Sequence, residues 1–186
     1  MSLKSAKVAV LVYDLFEQSE FEEPVKRLLS EGINPTIVSA SKISMQAMQH
    51  NTPGDKYKAD MLISDADQQD YNALILPGGV MNADQLRMVQ PAREWVNFCL
   101  NNGRLIAAIC HAPWLLVSAD AIEERRVTSY FTLQDDIRNV GAEWIDQPVV
   151  IDGNLITSRK PSDLDEFDNA IIEWLSSHQD VQKTRK

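Results

Sequence analysis

Two residues capable of covalent chemistry, Cys110 and His111, stand side by side where an apolar run stops. The surrounding stretch, LIAAICHAPWLL, predicts a buried strand followed by a helix with Pro113 in its first turn. A thiol on such a turn lies over the unsatisfied N–H groups of the helix, which stabilise a thiolate. The flanking Ala108 and Ala112 match the small-x-nucleophile-x-small pattern of a nucleophile elbow. Buried free cysteine is also common, so position alone leaves a catalytic nucleophile and an inert core thiol both open.

The three histidines do not by themselves identify a catalytic base or a metal site. Successive side chains along a helix do not face each other, so the sequence does not identify His111 as the base for the neighbouring thiol. His50, in a polar loop, and His178, at the end of the last predicted helix, are interpreted as solvated. Neither the histidines nor the two cysteines, Cys99 and Cys110, have the spacing of a metal site. We therefore expect reduced thiols and no metal or cofactor.

An acidic segment, FEQSEFEEP, follows the first predicted strand. Glu17 in this segment could overhang the same sheet edge as Cys110. An ionised carboxylate there would raise the pKa of the thiol, so Glu17 must be protonated by burial and donate a hydrogen bond to sulfur. The alternative for Glu17, Glu20, Glu22 and Glu23 is a solvated helix start, which we expect to describe Glu22 and Glu23.

A glycine pair, Gly78 and Gly79, follows the apolar run ALILP. Glycine allows close backbone approach, so this pair could direct N–H groups at a developing oxyanion. A plain turn is the competing interpretation.

The elements that must position these residues follow an alternating pattern of strands and helices. Strands are predicted over 7–13, 34–40, 71–76 and 104–109, helices over 19–32, 91–103, 112–120, 132–141 and 162–178, and a β-hairpin over 148–158. The first helix places Phe21, Val25, Leu28 and Leu29 on one face. This order predicts an α/β fold with a mainly parallel sheet covered on both faces, and a site outside the carboxyl ends of its strands.

Composition limits the class of protein. The 186 residues, 44% hydrophobic, suit a single domain with a core over about 6–178 and a frayed polar tail at 179–186. The formal charge of −9, from 27 acidic and 18 basic side chains, disfavours nucleic acid as a partner. No apolar run is long enough to cross a membrane, and the N-terminal segment does not resemble a signal peptide, so we expect a cytoplasmic protein.

Together these stretches resemble the ThiJ/PfpI family of the class I glutamine amidotransferase-like superfamily, which includes intracellular cysteine peptidases and proposed protein deglycases. The resemblance covers nearly the whole chain. Its segments are FEQSEFEEP, ALILPGG, AAICHAPWLLVSA, TSYFTLQDDIRNVGAEWID and VVIDGNLITSRKPSDLDEF.

The resemblance implies a flavodoxin-like three-layer sandwich with Cys110 as the nucleophile and Glu17 as the protonated acid at the sulfur. It also implies an oxyanion site formed by Gly79 and the amides of Cys110 and His111. The imidazole would be oriented by an acid from a neighbouring subunit, at the position matched by Asp84, in a homodimer or higher homo-oligomer.

The implied activity is a cysteine-dependent hydrolase reaction on a small activated carbonyl, either a peptide or amide or a glyoxal-derived adduct. Ala112 replaces the glycine usual after the Cys-His pair, which narrows the pocket by a methyl group without closing it. The alternative is a redox-responsive stress protein that senses oxidants through Cys110 and works by binding partners.

Overall fold

A seven-stranded sheet forms the centre of the computed structural model, which describes residues 3–178; the polar tail predicted at 179–186 lies outside the described residues. The strands are β1 (Val8–Val12), β2 (Phe16–Glu17), β3 (Thr36–Ser39), β4 (Ser44–Gln49), β5 (Thr52–Lys58), β6 (Met61–Leu62), β7 (Ala73–Leu76), β8 (Leu105–Ile109), β9 (Arg126–Val127), β10 (Glu143–Trp144), β11 (Val149–Asp152) and β12 (Leu155–Ser158). The sheet order is β11-β12-β8-β7-β1-β3-β6, and within it only the β11–β12 pair is antiparallel.

Helices cover both faces of this sheet. They are α1 (Gln18–Ser30), α2 (Val80–Leu86), α3 (Gln90–Asn101), α4 (Pro113–Ser118), α5 (Gln134–Asn139) and α6 (Leu164–Ser177). Alternate residues of β1 belong to different cores: Val10 packs with α1 and α6, whereas Leu11 packs with α3 and α4. Because strands buried on both faces must be apolar throughout, the continuous apolar runs correctly predict this layout. The flavodoxin-like three-layer sandwich with a mainly parallel sheet is confirmed.

The strand order explains why distant segments share one site. Strand β7 lies between β1 and β8, and all three run in parallel. Their carboxyl ends therefore meet at one edge of the sheet, where 13–15, 77–79 and 110–112 follow the three strands. This is the edge at which open α/β sheets place their ligands.

A second, smaller sheet formed by β2, β4 and β5 has no counterpart among the predicted elements. Its sequences, SMQAMQ and TPGDKYK, are too polar to be recognised as strands, although Met45 and Ala47 alternate inward in β4. The β4–β5 hairpin turns at His50 and Asn51, and β2 pairs Glu17 with Met48. The hairpin therefore brings its tip to the segment that leads into α1.

The buried face of α1 differs from its predicted stripe at one residue. Leu28 is 1% exposed, but Leu29 is 50% exposed. We expect Leu28→Ala to lower the free energy of unfolding by about 2–5 kcal/mol, because it removes packed methyl groups and leaves a cavity. Leu29→Ala, the matched control in the same helix, should cost about 1 kcal/mol at most. Urea unfolding followed by circular dichroism measures both, and equal losses would contradict this assignment of faces.

Candidate functional site

Cys110 occupies a strained turn directly after β8. Its φ of 63° lies in the left-handed region, which costs a non-glycine residue about 1–3 kcal/mol. Two backbone hydrogen bonds hold the turn: the Cys110 N–H donates to the Ser158 carbonyl at 3.0 Å, and the Tyr130 N–H donates to the Cys110 carbonyl at 2.8 Å. The turn separates the strand from α4 and directs the thiol into a cavity. This is the geometry of a nucleophile elbow.

His111 lies against the thiol, with Nδ1 3.1 Å from the Cys110 Sγ. The expectation that adjacent side chains would not meet was wrong, because the strained turn is not helical. The imidazole stacks on the Tyr130 ring, with centroids 4.7 Å apart. Burial lowers the pKa of His111 to about 4, so near pH 7 the ring is neutral.

The carboxyl group at the sulfur belongs to Glu20, which corrects the prediction for Glu17. Glu20 lies in the first turn of α1 and is fully buried. Its Oε2 accepts the Gly78 N–H at 3.0 Å, and its carboxyl interacts with the Cys110 thiol. Oε1 has no partner with full hydrogen-bond geometry among the described residues. The missed signal was periodicity, because Glu20 is four residues before Pro24 and eight before Leu28, on the buried face of the helix.

The ionisation of this acid and the thiol is coupled. Burial raises the pKa of Glu20 from 4.5 to about 8, and the charge of Glu17 also raises it. Burial and an ionised Glu20 raise the pKa of the Cys110 thiol, whereas the N–H groups of Gly79 and His111 lower it. Near pH 7 Glu20 is mostly protonated. Its repulsion is then absent, and its O–H can donate to a thiolate.

Glu17 lies at the cavity wall beside the hairpin tip. Its Oε2 accepts the backbone N–H of His50 at 3.0 Å, and its Oε1 lies 3.3 Å from the His50 Nδ1. His50 was expected in a polar loop, and its side chain is 79% exposed, yet it lines the same cavity as Cys110. No pattern in the sequence indicated this contact, because the polar hairpin that carries His50 was not predicted.

The backbone N–H groups of Gly78 and Gly79 have different partners. The N–H of Gly78 is occupied by Glu20, so it does not face an oxyanion. Gly79, with a φ of +90°, lies so close to the chain that an added Cβ would approach the Glu17 nitrogen to 2.7 Å. The amides of Gly79 and His111 point at the sulfur. The Cys110 amide, also expected at the oxyanion site, is instead bonded to Ser158.

Asp84 does not line this cavity within its own chain. It is exposed on α2, close to Val80 and Met81, which are 51% and 53% exposed. Among the described residues, the one hydrogen-bond partner recorded for the imidazole of His111 is the Cys110 sulfur. A single chain therefore brings together the thiol, the imidazole and Glu20, but leaves Asp84 apart.

The cavity that joins these groups has a volume of about 490 Å³. Its walls combine the carboxyls and imidazoles already described with apolar side chains, namely Leu15, Met48, Val80, Met81 and Pro161. This volume suits a small molecule or a few residues of a peptide. No helix within residues 3–178 is long and apolar enough to cross a membrane.

Comparison with curated proteins relates the chain to relatives over nearly its whole length. It is 37% identical over 172 residues to an uncharacterized protein of Archaeoglobus fulgidus, covering 92% of this chain and 99% of that protein. It is 34% identical over 171 residues to the Bacillus subtilis protein named "Putative cysteine protease YraA", again covering 92% and 99%.

Solved structures and a family model agree with these relatives. Drosophila melanogaster DJ-1beta superposes with a TM-score of 0.85 at 26% identity, covering 96% of this chain and 95% of that one. The model of the DJ-1/PfpI family matches residues 6–174, a range that contains every element of the central sheet. The chain belongs to the DJ-1/PfpI family.

Proposed function

We propose that the protein is a cysteine-dependent hydrolase in which Cys110 attacks a small activated carbonyl, either a peptide or amide or a glyoxal-derived adduct. The observation that carries this proposal is the 3.1 Å contact between Cys110 Sγ and His111 Nδ1 at a strained turn facing a cavity. An inert core thiol has no need of strained backbone, a neutral imidazole and a buried acid around one sulfur atom.

The first step is the same for each carbonyl substrate. The thiol proton passes to Nδ1 of His111, and the sulfur forms a bond to the carbonyl carbon while the C=O electron pair moves to oxygen. The amides of Gly79 and His111, which point at the sulfur, are proposed to donate to that oxyanion.

For an amide, the tetrahedral intermediate then collapses. The C–N bond breaks, the leaving amine takes the proton from His111, and a thioester of Cys110 remains. A water molecule attacks the thioester while His111 accepts one of its protons. The acid is released and the proton returns to the departing thiolate, which restores the free enzyme.

Glu20 would act through the thiolate rather than on the substrate. Its position against the sulfur lets a protonated carboxyl donate to the thiolate that forms when His111 takes the proton. An apolar residue at the same place would leave a buried anion with fewer donors. Glu20 is therefore proposed as a positioning residue that keeps Cys110 reactive near neutral pH.

We further propose that the site is completed by a second copy of the chain. His111 lacks a carboxylate partner among the described residues of its own chain, while Asp84 is exposed on α2, the helix that also exposes Val80 and Met81. Exposed apolar residues beside a carboxylate suit an interface that delivers the acid to the partner's imidazole. A symmetric homodimer would contain two such shared sites.

Turnover tests the nucleophile directly. We expect Cys110→Ala to abolish turnover of methylglyoxal or of a fluorogenic peptide, whichever the wild-type protein accepts, whereas Cys99→Ala retains it. Iodoacetamide at pH 7 should modify Cys110 at least about tenfold faster, because its sulfur faces the cavity and two backbone N–H groups, whereas Cys99 is 1% exposed in the packed core. Peptide mapping by mass spectrometry gives both rates.

Equal alkylation of the two cysteines, or turnover by Cys110→Ala, would contradict the assignment. No turnover in the wild type, together with uptake of two oxygen atoms by Cys110 from peroxide, would favour the redox-responsive alternative.

The pH dependence of the free energy of unfolding tests whether Glu20 is protonated in the folded protein. Folded Glu20 stays protonated up to about pH 8, whereas an unfolded glutamate ionises near its ordinary 4.5, so the folded state holds an extra proton between these values. The free energy of unfolding should therefore fall as pH rises through this window, by an upper bound of about 5 kcal/mol from this group. Glu20→Gln should lack that part of the decline in urea unfolding between pH 5 and 8.

Glu173→Gln is the matched control, because Glu173 is exposed on α6. It should follow the wild-type pH profile. Identical profiles for the wild type and Glu20→Gln would show that Glu20 is ionised in the folded protein.

Complementation tests the shared site. We expect Asp84→Asn to lower turnover at least about tenfold without changing the melting temperature or the alkylation of Cys110, because only the orientation of the imidazole is lost. Asp84→Glu keeps a carboxylate and should retain more activity. Mixing Cys110→Ala chains with Asp84→Asn chains should restore activity, since one site in each hybrid dimer holds both intact groups. A fully active monomer in light scattering would refute the shared site.

A further inference from the structure

The carboxylate of Glu17 is fastened to the cavity wall by the hairpin tip. Its side chain is 12% exposed, and both of its oxygens face His50. The His50 backbone N–H that binds Oε2 belongs to a left-handed turn with φ of 57°, so its direction is set by the hairpin. Glu17 itself is held in β2 by pairing with Met48. The carboxylate therefore has a fixed orientation beside the nucleophile.

This carboxylate dominates the charge of the cavity. Burial keeps Glu20 protonated near pH 7, and burial keeps the imidazole of His111 neutral. Among the described residues that line the cavity, none is a lysine or arginine. A negative charge at a partly desolvated wall attracts cations and repels anions more strongly than one in bulk water.

The imidazole of His50 is an exchangeable partner for Glu17. It is 79% exposed, and its Nδ1 lies 3.3 Å from Oε1, at the long end of hydrogen-bond distances. A hydrogen-bond donor entering from the cavity could replace it at Oε1 without disturbing the backbone N–H at Oε2. A primary ammonium group has the charge and the donors for this exchange.

We propose that Glu17, held by the backbone of His50, is a cation subsite that selects substrates carrying a primary ammonium group close to the reacting carbonyl. Carboxylate-bearing substrates are disfavoured by the same charge. The inference rests on the proposed function in taking this cavity as the substrate site, and it adds the chemical class that the site accepts.

Charged thiol reagents of similar size test the subsite without requiring turnover. The probes are 2-aminoethyl and 2-sulfonatoethyl methanethiosulfonate, which carry an ammonium and a sulfonate. In each reaction the Cys110 thiolate attacks the sulfenyl sulfur, a disulfide forms and methanesulfinate leaves. A Cys99→Ser background confines the reaction to Cys110. The readout is the ratio of the two rate constants, normalised to the ratio for the urea-unfolded protein.

We expect the normalised ratio to favour the ammonium reagent at least about tenfold, and Glu17→Gln to reduce that preference about tenfold. Changes in the pKa of Cys110 act equally on both reagents, so they cancel in the ratio. Glu173→Gln is the matched control, because it makes the same change in net charge at an exposed position. Its neighbour Trp174 bonds the Gly153 carbonyl at the β11–β12 turn, at the other end of the sheet.

The His50→Ala variant tests whether the imidazole is an exchangeable partner of Glu17. Loss of the imidazole leaves Oε1 free, so the ammonium preference should equal or exceed that of the wild type. A fall to the Glu17→Gln level would overturn the exchangeable role of the imidazole. If Glu17→Gln does not fold, raising the ionic strength over wild-type protein gives the second test, since screening should reduce the ratio.

The outcomes distinguish this inference from the proposed function. A ratio that is the same in the wild type and Glu17→Gln, with Cys110 still reactive and turnover intact, overturns the cation subsite alone. A Cys110 that reacts with neither reagent in the folded protein overturns the proposed function and the subsite together.

Discussion

The contact between a buried acid and a thiol is the constraint on which the rest of this site depends. Glu20 is fully buried, and an ionised carboxylate at that position would be costly to desolvate. The fold therefore keeps the carboxyl protonated, supplies one donor from Gly78 and holds the carboxyl beside the thiol. The glycine at 78 has no side chain because an added Cβ would come within 2.8 Å of the Cys110 Cβ.

Backbone strain is concentrated at the same place. Five non-glycine residues among those described have positive φ, and three of them, Leu15, His50 and Cys110, line one cavity. Each is tied to another element, as Leu15 is by its N–H to the Gln46 carbonyl at 2.8 Å. A strained backbone conformation persists where contacts with neighbouring elements hold it in place, and such residues cluster at functional sites. The sheet and the hairpin together provide that support.

Much of the fold was predictable because its signals are local. Apolar runs and helical stripes identify the main strands and helices, and parallel order brings Cys110 and the glycine pair to one edge. The choice between Glu17 and Glu20 was not settled by proximity to a strand, because it depends on which face of α1 is buried. The contact of His111 with the thiol depends on a left-handed turn, which no propensity at cysteine predicts. The β4–β5 hairpin was not predicted, because its strands are polar.

The cavity has two parts, one built on the packed central sheet and one on the exposed β4–β5 hairpin. The thiol, the neighbouring imidazole and the buried acid are built on the central sheet and α1, where any change disturbs a packed core. His50 stands at the tip of a hairpin whose second strand is largely exposed and tolerates replacement. Over evolutionary time the proposed reaction would be inherited with the sheet, while the proposed preference for substrates would change with the hairpin. Descendants of one ancestral chain could thus keep the same chemistry and differ in the substrates that they accept.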